Sequence, residues 1–163
     1  MTRSPVSGAP DPEPYLAFVI TGQQIADQAL TYLGVPYHHD GRSREGGVDC
    51  LGLAVLVLQD LGQEVQDRVG VPQHQDIWGE IVERVELHAS LIDEGCHPLL
   101  WMPGDLLLFR ERLMHHHAGI LIMDGSLEMV HSYSSSGMVV RQPLDEPWLR
   151  RVSRVYRFNG VES

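Results

Sequence analysis

The 163-residue sequence predicts an α+β fold, with N-terminal helices packed on a central antiparallel sheet of about five strands. Two changes of texture carry that reading. As far as Val85 the apolar residues recur at helical spacing, whereas after Pro103-Gly104 they fall into short runs separated by turn residues. With 43% hydrophobic and 21% charged residues, the chain is long enough for one domain with a core and crowded for two.

Residues 1–16, rich in proline and small or polar side chains, read as an extended arm, and 17–163 as a single domain. A Thr21-x-x-Gln24 capping box opens a helix with Ile25, Ala26, Ala29, Leu30 and Leu33 on one face, closed by Gly34 and Pro36. From Tyr37 to Val48, Gly41, Gly46 and Gly47 suit a surface loop whose backbone approaches a neighbour closely. Residues 50–61 are apolar almost all round, as in a helix buried on most sides, and Gly62 ends them. Asp49 is the natural N-cap of that helix and leaves Cys50 at its first position. A further helix covers 75–85, with Ile77, Trp78, Ile81, Val82 and Val85 inward. Strands follow at 106–109, 118–123, 127–131, 138–141 and 152–158. Asp124-Gly125 marks a hairpin turn and Ser134 to Gly137 a longer connection.

Composition removes several functions. A formal net charge of -10 without a Lys/Arg-rich run excludes phosphate-backbone binding, so no nucleic-acid partner is expected. Two cysteines are too few for a disulfide scaffold or a four-thiolate metal site. No stretch approaches the ~20 apolar residues that span a bilayer. Pro10, Pro12 and Pro14 interrupt the start before Ala17-Phe18-Val19-Ile20, so synthesis in the cytoplasm without a signal peptide is expected.

Chemistry converges on Cys50. The first turn of a helix offers unpaired N–H groups and partial positive charge, both of which favour a thiolate. A nucleophilic cysteine also needs a base and an orienting partner for that base. His117 opens one strand and His131 closes the next, so an antiparallel hairpin at Asp124-Gly125 sets them side by side. The alternative is a metal cluster, since His115 and His117 alternate onto one strand face and His131 can join them. It lacks a carboxylate at ligand spacing and leaves Cys50 unexplained, so neither metal nor cofactor is expected. Cys96 reads as structural or incidental, and His38 and His39 as flanking the cleft. Trp78, Trp101 and Trp148 read as packing residues. Asp93, Glu94, Asp145 and Glu146 show no pairing suited to glycoside hydrolysis.

Three segments resemble the NlpC-type cysteine peptidases, which cut bacterial cell-wall peptides on a compact papain-like fold. They are Tyr32-Leu33-Gly34-Val35-Pro36-Tyr37 followed by Asp49-Cys50-Leu51-Gly52-Leu53, then Met102 to Phe109, then His117-Ala118-Gly119-Ile120 leading to Val130-His131. The resemblance implies a triad of Cys50 as nucleophile, His117 as base and His131 as the polar third member. It further implies an oxyanion site of Tyr37 and the Cys50 N–H, and an Asp49 that contacts the free amine of the substrate, a role competing with N-capping. The substrate implied is a peptidoglycan stem peptide cut at its γ-D-glutamyl bond. Family members commonly carry serine after the cysteine and Trp-Gly-Gly after the tyrosine, where this chain has Leu51 and His38-His39-Asp40-Gly41. The Asp-Cys-Leu-Gly-Leu form is similar to peptidases of phage tails and gene-transfer particles. It implies tail-tip or baseplate partners and delivery to the periplasm or cell wall. Two alternatives stay open: a structural tail plug or adaptor with a weak or inactive peptidase fold, suggested by the Pro-rich arm, and an acyltransferase or amidase of the same fold.

Overall fold

A computed structural model describes residues 19–67, 77–110 and 116–162, with backbone only for 77–80 and 116. The arm expected at 1–16 and the histidine at 115 lie outside the described residues. In chain order the elements are β1 (Ile20–Thr21), α1 (Gly22–Leu30), β2 (Arg42–Ser43), β3 (Gly47–Val48), α2 (Cys50–Asp60) and α3 (Ile77–Glu86). Then follow β4 (Ala89–Asp93), a 3₁₀ turn (Pro98–Leu100), β5 (Leu106–Arg110), β6 (His116–Met123), β7 (Leu127–Tyr133), β8 (Met138–Pro143), α4 (Glu146–Leu149), β9 (Val152–Phe158) and β10 (Val161–Glu162).

The fold is α+β, as the sequence predicts, and its central antiparallel sheet has the order β4-β9-β5-β6-β7-β8. Five strands match the expected runs; the sixth, β4, is an addition. It is an edge strand with only Ala89 and Asp93 buried, so its apolar signal is too thin to read from sequence. Both faces of the sheet are covered, which is why Leu106-Leu107-Leu108-Phe109 is an unbroken apolar run. Leu106, Leu108, Ala118, Ile120 and Val130 face the helices, where Ile25, Ala29, Leu53 and Val57 close the larger core. Leu107, Phe109, Leu121 and Met129 point the other way, onto Trp101, Leu144, Trp148 and Val155. Each such aliphatic side chain contributes about 1.5–3 kcal/mol when fully buried.

The α1 capping box forms, with Gln24 N–H donating to Thr21 Oγ1 and Thr21 N–H to Gln24 Oε1. The helix is shorter than expected: it ends at Leu30, and Leu33 is exposed. The reason is that β8 takes over the backbone. Gly34 N–H donates to Val139 O, and Val139 N–H to Val35 O.

Asp49 caps α2 as expected, accepting from Gly52 N–H at 2.6 Å. Gly52 has a second task. A Cβ there would lie 2.2 Å from Gly41 O and 2.7 Å from Arg42 Nη1, so the 38–48 loop reaches the helix start only because the side chain is missing. Ordinarily Gly→Ala inside a helix gains about 0.5–1 kcal/mol. Gly52→Ala is expected to reverse that sign and lose about 1–3 kcal/mol, measured by urea unfolding.

Candidate active site

The loop 36–49 is bound to the sheet before it delivers Cys50. Tyr37 N–H donates to Gly137 O, Val48 N–H to Pro36 O, and His38 N–H to Val48 O. Ser132 Oγ on β7 donates to Val48 O at 2.6 Å from inside the core. Cys50 therefore enters α2 from a backbone fixed two residues earlier. Tyr37 is half-buried, and its hydroxyl is pushed up by burial first and then by the charges of Cys50, Asp49 and Asp40. Tyr37 thus lies near enough to Cys50 and Asp49 for their charges to act on its hydroxyl.

Asp49 is more occupied than a free amine-binding group would be. One oxygen accepts from Gly52 N–H and from Arg42 Nη1 at 2.9 Å; the other accepts from Asp40 N–H at 3.0 Å. Arg42 in turn meets Asp67 at 2.5 Å, and Arg84 of α3 meets the same carboxylate at 2.6 Å. Capping wins here, and the charge of Asp49 is balanced by Arg42.

On the sheet, β6 and β7 pair from Ile120↔Val130 to Met123↔Leu127 and then part, leaving the strand start at His117 open. The backbone N–H groups of Ala118, Leu51 and Cys50 itself act on the Cys50 thiol in the direction that favours its anion. The thiol is nevertheless pushed up to about 12, by burial first and then by the Asp49 charge. This corrects the thiolate expected from the helix start: three N–H groups favour the anion, but desolvation and a neighbouring carboxylate outweigh them. Among the described residues no hydrogen bond joins the Cys50 sulfur directly to His117.

His117 and His131 do meet. The ring nitrogens His117 Nε2 and His131 Nδ1 are 2.5 Å apart, and both residues are buried. His131 Nε2 lies 3.0 Å from Gln142 Oε1 on β8. Around them stands an aromatic box. Tyr133 stacks on His131 at 5.2 Å, and Trp148 meets the edge of the same ring at 5.4 Å. Phe109 lies 5.8 Å from His117, and the Arg151 guanidinium sits 4.3 Å over Trp148. This dry box pushes His117 down to about 3, burial being the largest cause, followed by His131 and the Arg151 charge. Burial and Arg151 push His131 down to about 4, against the opposing hydrogen bond of Gln142. Burial thus disfavours charge on the thiol and on both imidazoles alike.

Trp148 reads as packing in sequence, but it walls the histidine pair. Gln142 was missed altogether, because the expected strand stops at Arg141 and β8 runs two residues further. The signal lay in the alternation: Gln142 pairs with Met129 and His131 with Val140, so all four share one face of the sheet. Of the three histidines in the metal alternative, His115 lies outside the described residues, and His117 and His131 turn ring nitrogens toward each other. Among the described residues one trio, His39, Asp40 and Asp49, brings three ligand-type atoms within 4.8 Å of one another. His39 is exposed, Asp40 is half-buried, and Asp49 is committed as above. Cys50 and Cys96 are both free thiols, Cys96 exposed.

Comparison with known proteins supplies the context. Residues 34–157 match the family model described as the NlpC/P60 family. The chain is 26% identical over 149 residues to a probable endopeptidase NlpC of Escherichia coli K12, covering 88% of this chain and 82% of that one. It is 27% identical over 135 residues to the murein DD-endopeptidase MepS/murein LD-carboxypeptidase of the same organism, covering 82% of this chain and 61% of that protein's length. The crystal structure of an NlpC/P60 family protein from Bacillus cereus superposes with a TM-score of 0.62 at 20% identity, over 86% of this chain and 41% of that one.

The buried pair ties stability to pH. In the unfolded chain both histidines titrate near 6.5, while in the fold they stay neutral down to about 3 and 4. The unfolded state therefore binds more protons in between, and stability falls as pH drops below about 6.5, by up to about 1.4 kcal/mol per unit for each group. His117→Gln is expected to show a shallower fall of melting temperature between pH 6.5 and 4 than wild type, read by circular dichroism. Equal slopes would exclude this linkage.

Proposed function

The chain belongs to the NlpC/P60 family, and from that premise we propose that it is a cysteine peptidase hydrolysing an amide of peptidoglycan stem peptides. The observation that carries the reading is the line Gln142, His131, His117 ending at a strand start whose next backbone N–H, that of Ala118, acts on the Cys50 thiol to favour its anion. Cys50 is the nucleophile, His117 the base and later the acid, and His131 the orienting third member.

Because burial disfavours charge on thiol and imidazole alike, the proton leaves sulfur as the sulfur attacks, instead of waiting on a preformed ion pair. His117 uses Nε2 toward His131, so Nδ1 is the nitrogen that accepts the thiol proton. Substrate binding tightens this contact, as catalytic hydrogen bonds commonly tighten on going from free enzyme to complex. The sulfur adds to the carbonyl carbon, and the oxyanion is received by the Cys50 N–H and the Tyr37 hydroxyl. His117 then gives its proton to the leaving amine as the C–N bond breaks. Water, deprotonated by His117, attacks the thioester, which breaks at its C–S bond and restores the thiol.

We place the cut at a γ-D-glutamyl bond, supported by the sequence resemblance around Tyr37 and Cys50. Delivery by a tail-like particle, with tail-tip or baseplate partners, is supported by the Asp49-Cys50-Leu51-Gly52-Leu53 form.

Cys50→Ala is expected to abolish release of fragments from purified peptidoglycan while leaving the melting temperature within about 2 °C of wild type, since a small residue fits where a sulfur did. Mass spectrometry of digested, defined muropeptides identifies the bond. Undiminished cleavage by Cys50→Ala would overturn the nucleophile assignment.

A further inference from the structure

We propose that Gln142 is a positioning residue that sets the hydrogen polarity of the His131–His117 pair and thereby makes His117 Nδ1 the base. The inference rests on the base role of His117 given above. With its amide turned so that Oε1 meets His131 Nε2 at 3.0 Å, Gln142 accepts, and the hydrogen of His131 is then on Nε2. The neutral ring then has its lone pair on Nδ1, which at 2.5 Å can only accept from His117 Nε2–H. The lone pair of His117 is left on Nδ1. Reversed polarity would place a hydrogen on His117 Nδ1, and no nitrogen would remain to take the thiol proton. One amide oxygen on β8 thus decides whether a ring two residues along the line is a base.

The fold gives Gln142 that place and gives the histidines few other means of choosing a tautomer. Gln142 and His131 are on adjacent strands and one sheet face. The walls of the box at Phe109 and Trp148 carry no charge, and Tyr133 presents its ring face. The charged or titratable groups around the pair are Arg151 beyond α4 and Tyr133 on β7. Arg151 disfavours a proton on either ring without selecting a nitrogen.

Two variants test this. Gln142→Met keeps the bulk and removes the strong acceptor; Gln142→Glu keeps the acceptor and adds charge. Nitrogen-15 NMR of the histidine rings is expected to show a single Nε2–H tautomer at His131 in the wild type and a mixture in Gln142→Met. With soluble muropeptide, Gln142→Met is expected to lower kcat by at least about tenfold with KM little changed. Gln142→Glu is expected to keep most of the rate at high pH. Its carboxylate favours a doubly protonated His131, which can no longer accept from His117, so the acid limb of the pH profile moves upward by about one unit or more. A wild-type tautomer in Gln142→Met, or an unmoved acid limb in Gln142→Glu, overturns the proposal. The NMR result needs no turnover, so it decides the role of Gln142 even if Cys50→Ala shows the peptidase reading to be wrong.

Discussion

The carboxylate of Asp49 is the constraint on which the rest of the site depends. It closes the first turn of α2 through Gly52 N–H, fixes the loop through Asp40 N–H, and holds Arg42. Each bond alone is of ordinary strength, about 0.5–1.5 kcal/mol net, or somewhat more where charge assists. Together they define where Cys50 starts its helix and how near the loop bearing Tyr37 lies. The cost falls on the nucleophile, because a carboxylate one residue away raises the thiol it positions. Arg42 pairs with that carboxylate from the other side, and Asp67 and Arg84 hold Arg42 in place.

The sheet makes the complementary contribution. A thiol on the helix layer and an imidazole on the opposite sheet face are normally separated by a wall of backbone. Here β6 and β7 stop pairing before they reach His117, and the backbone N–H of the next residue, Ala118, acts on the thiol from the sheet side. The same stretch of β7 serves both layers by simple alternation. Ser132 turns inward and secures Val48 on the approach to Cys50, while His131 turns outward to hold His117. A one-residue slip of β7 would exchange these two tasks and lose both.

Much of this was legible in the sequence, and for identifiable reasons. The capping box at Thr21, the Asp49 cap and the Asp124-Gly125 turn are local signals that tertiary context reinforces. The pairing of His117 with His131 followed from hairpin arithmetic alone. What escaped depends on contacts distant in sequence. β4 is stabilised by β9, more than sixty residues later, and its own residues barely announce it. The ionisation of Cys50 was misjudged because a helix-start argument counts N–H groups and omits burial. Gln142 escaped because one glutamine at a strand end has no meaning until the register places it beside His131.

The neutral relay has a chemical logic of its own. A carboxylate as third member would favour a standing imidazolium, and with it a standing thiolate exposed to oxidation or alkylation. His131 is a weaker acceptor, and the dry aromatic box with Arg151 beside it penalises any positive charge at rest. An imidazolium at His117 therefore becomes affordable only when a compensating negative charge develops nearby, as it does when a tetrahedral oxyanion forms at Cys50. The surroundings that depress His117 in the empty site thus couple its protonation to the presence of a reacting carbonyl. His131, with its lone pair kept toward His117 by Gln142, holds the Nε2 side of that ring fixed, so the proton that comes and goes does so at Nδ1.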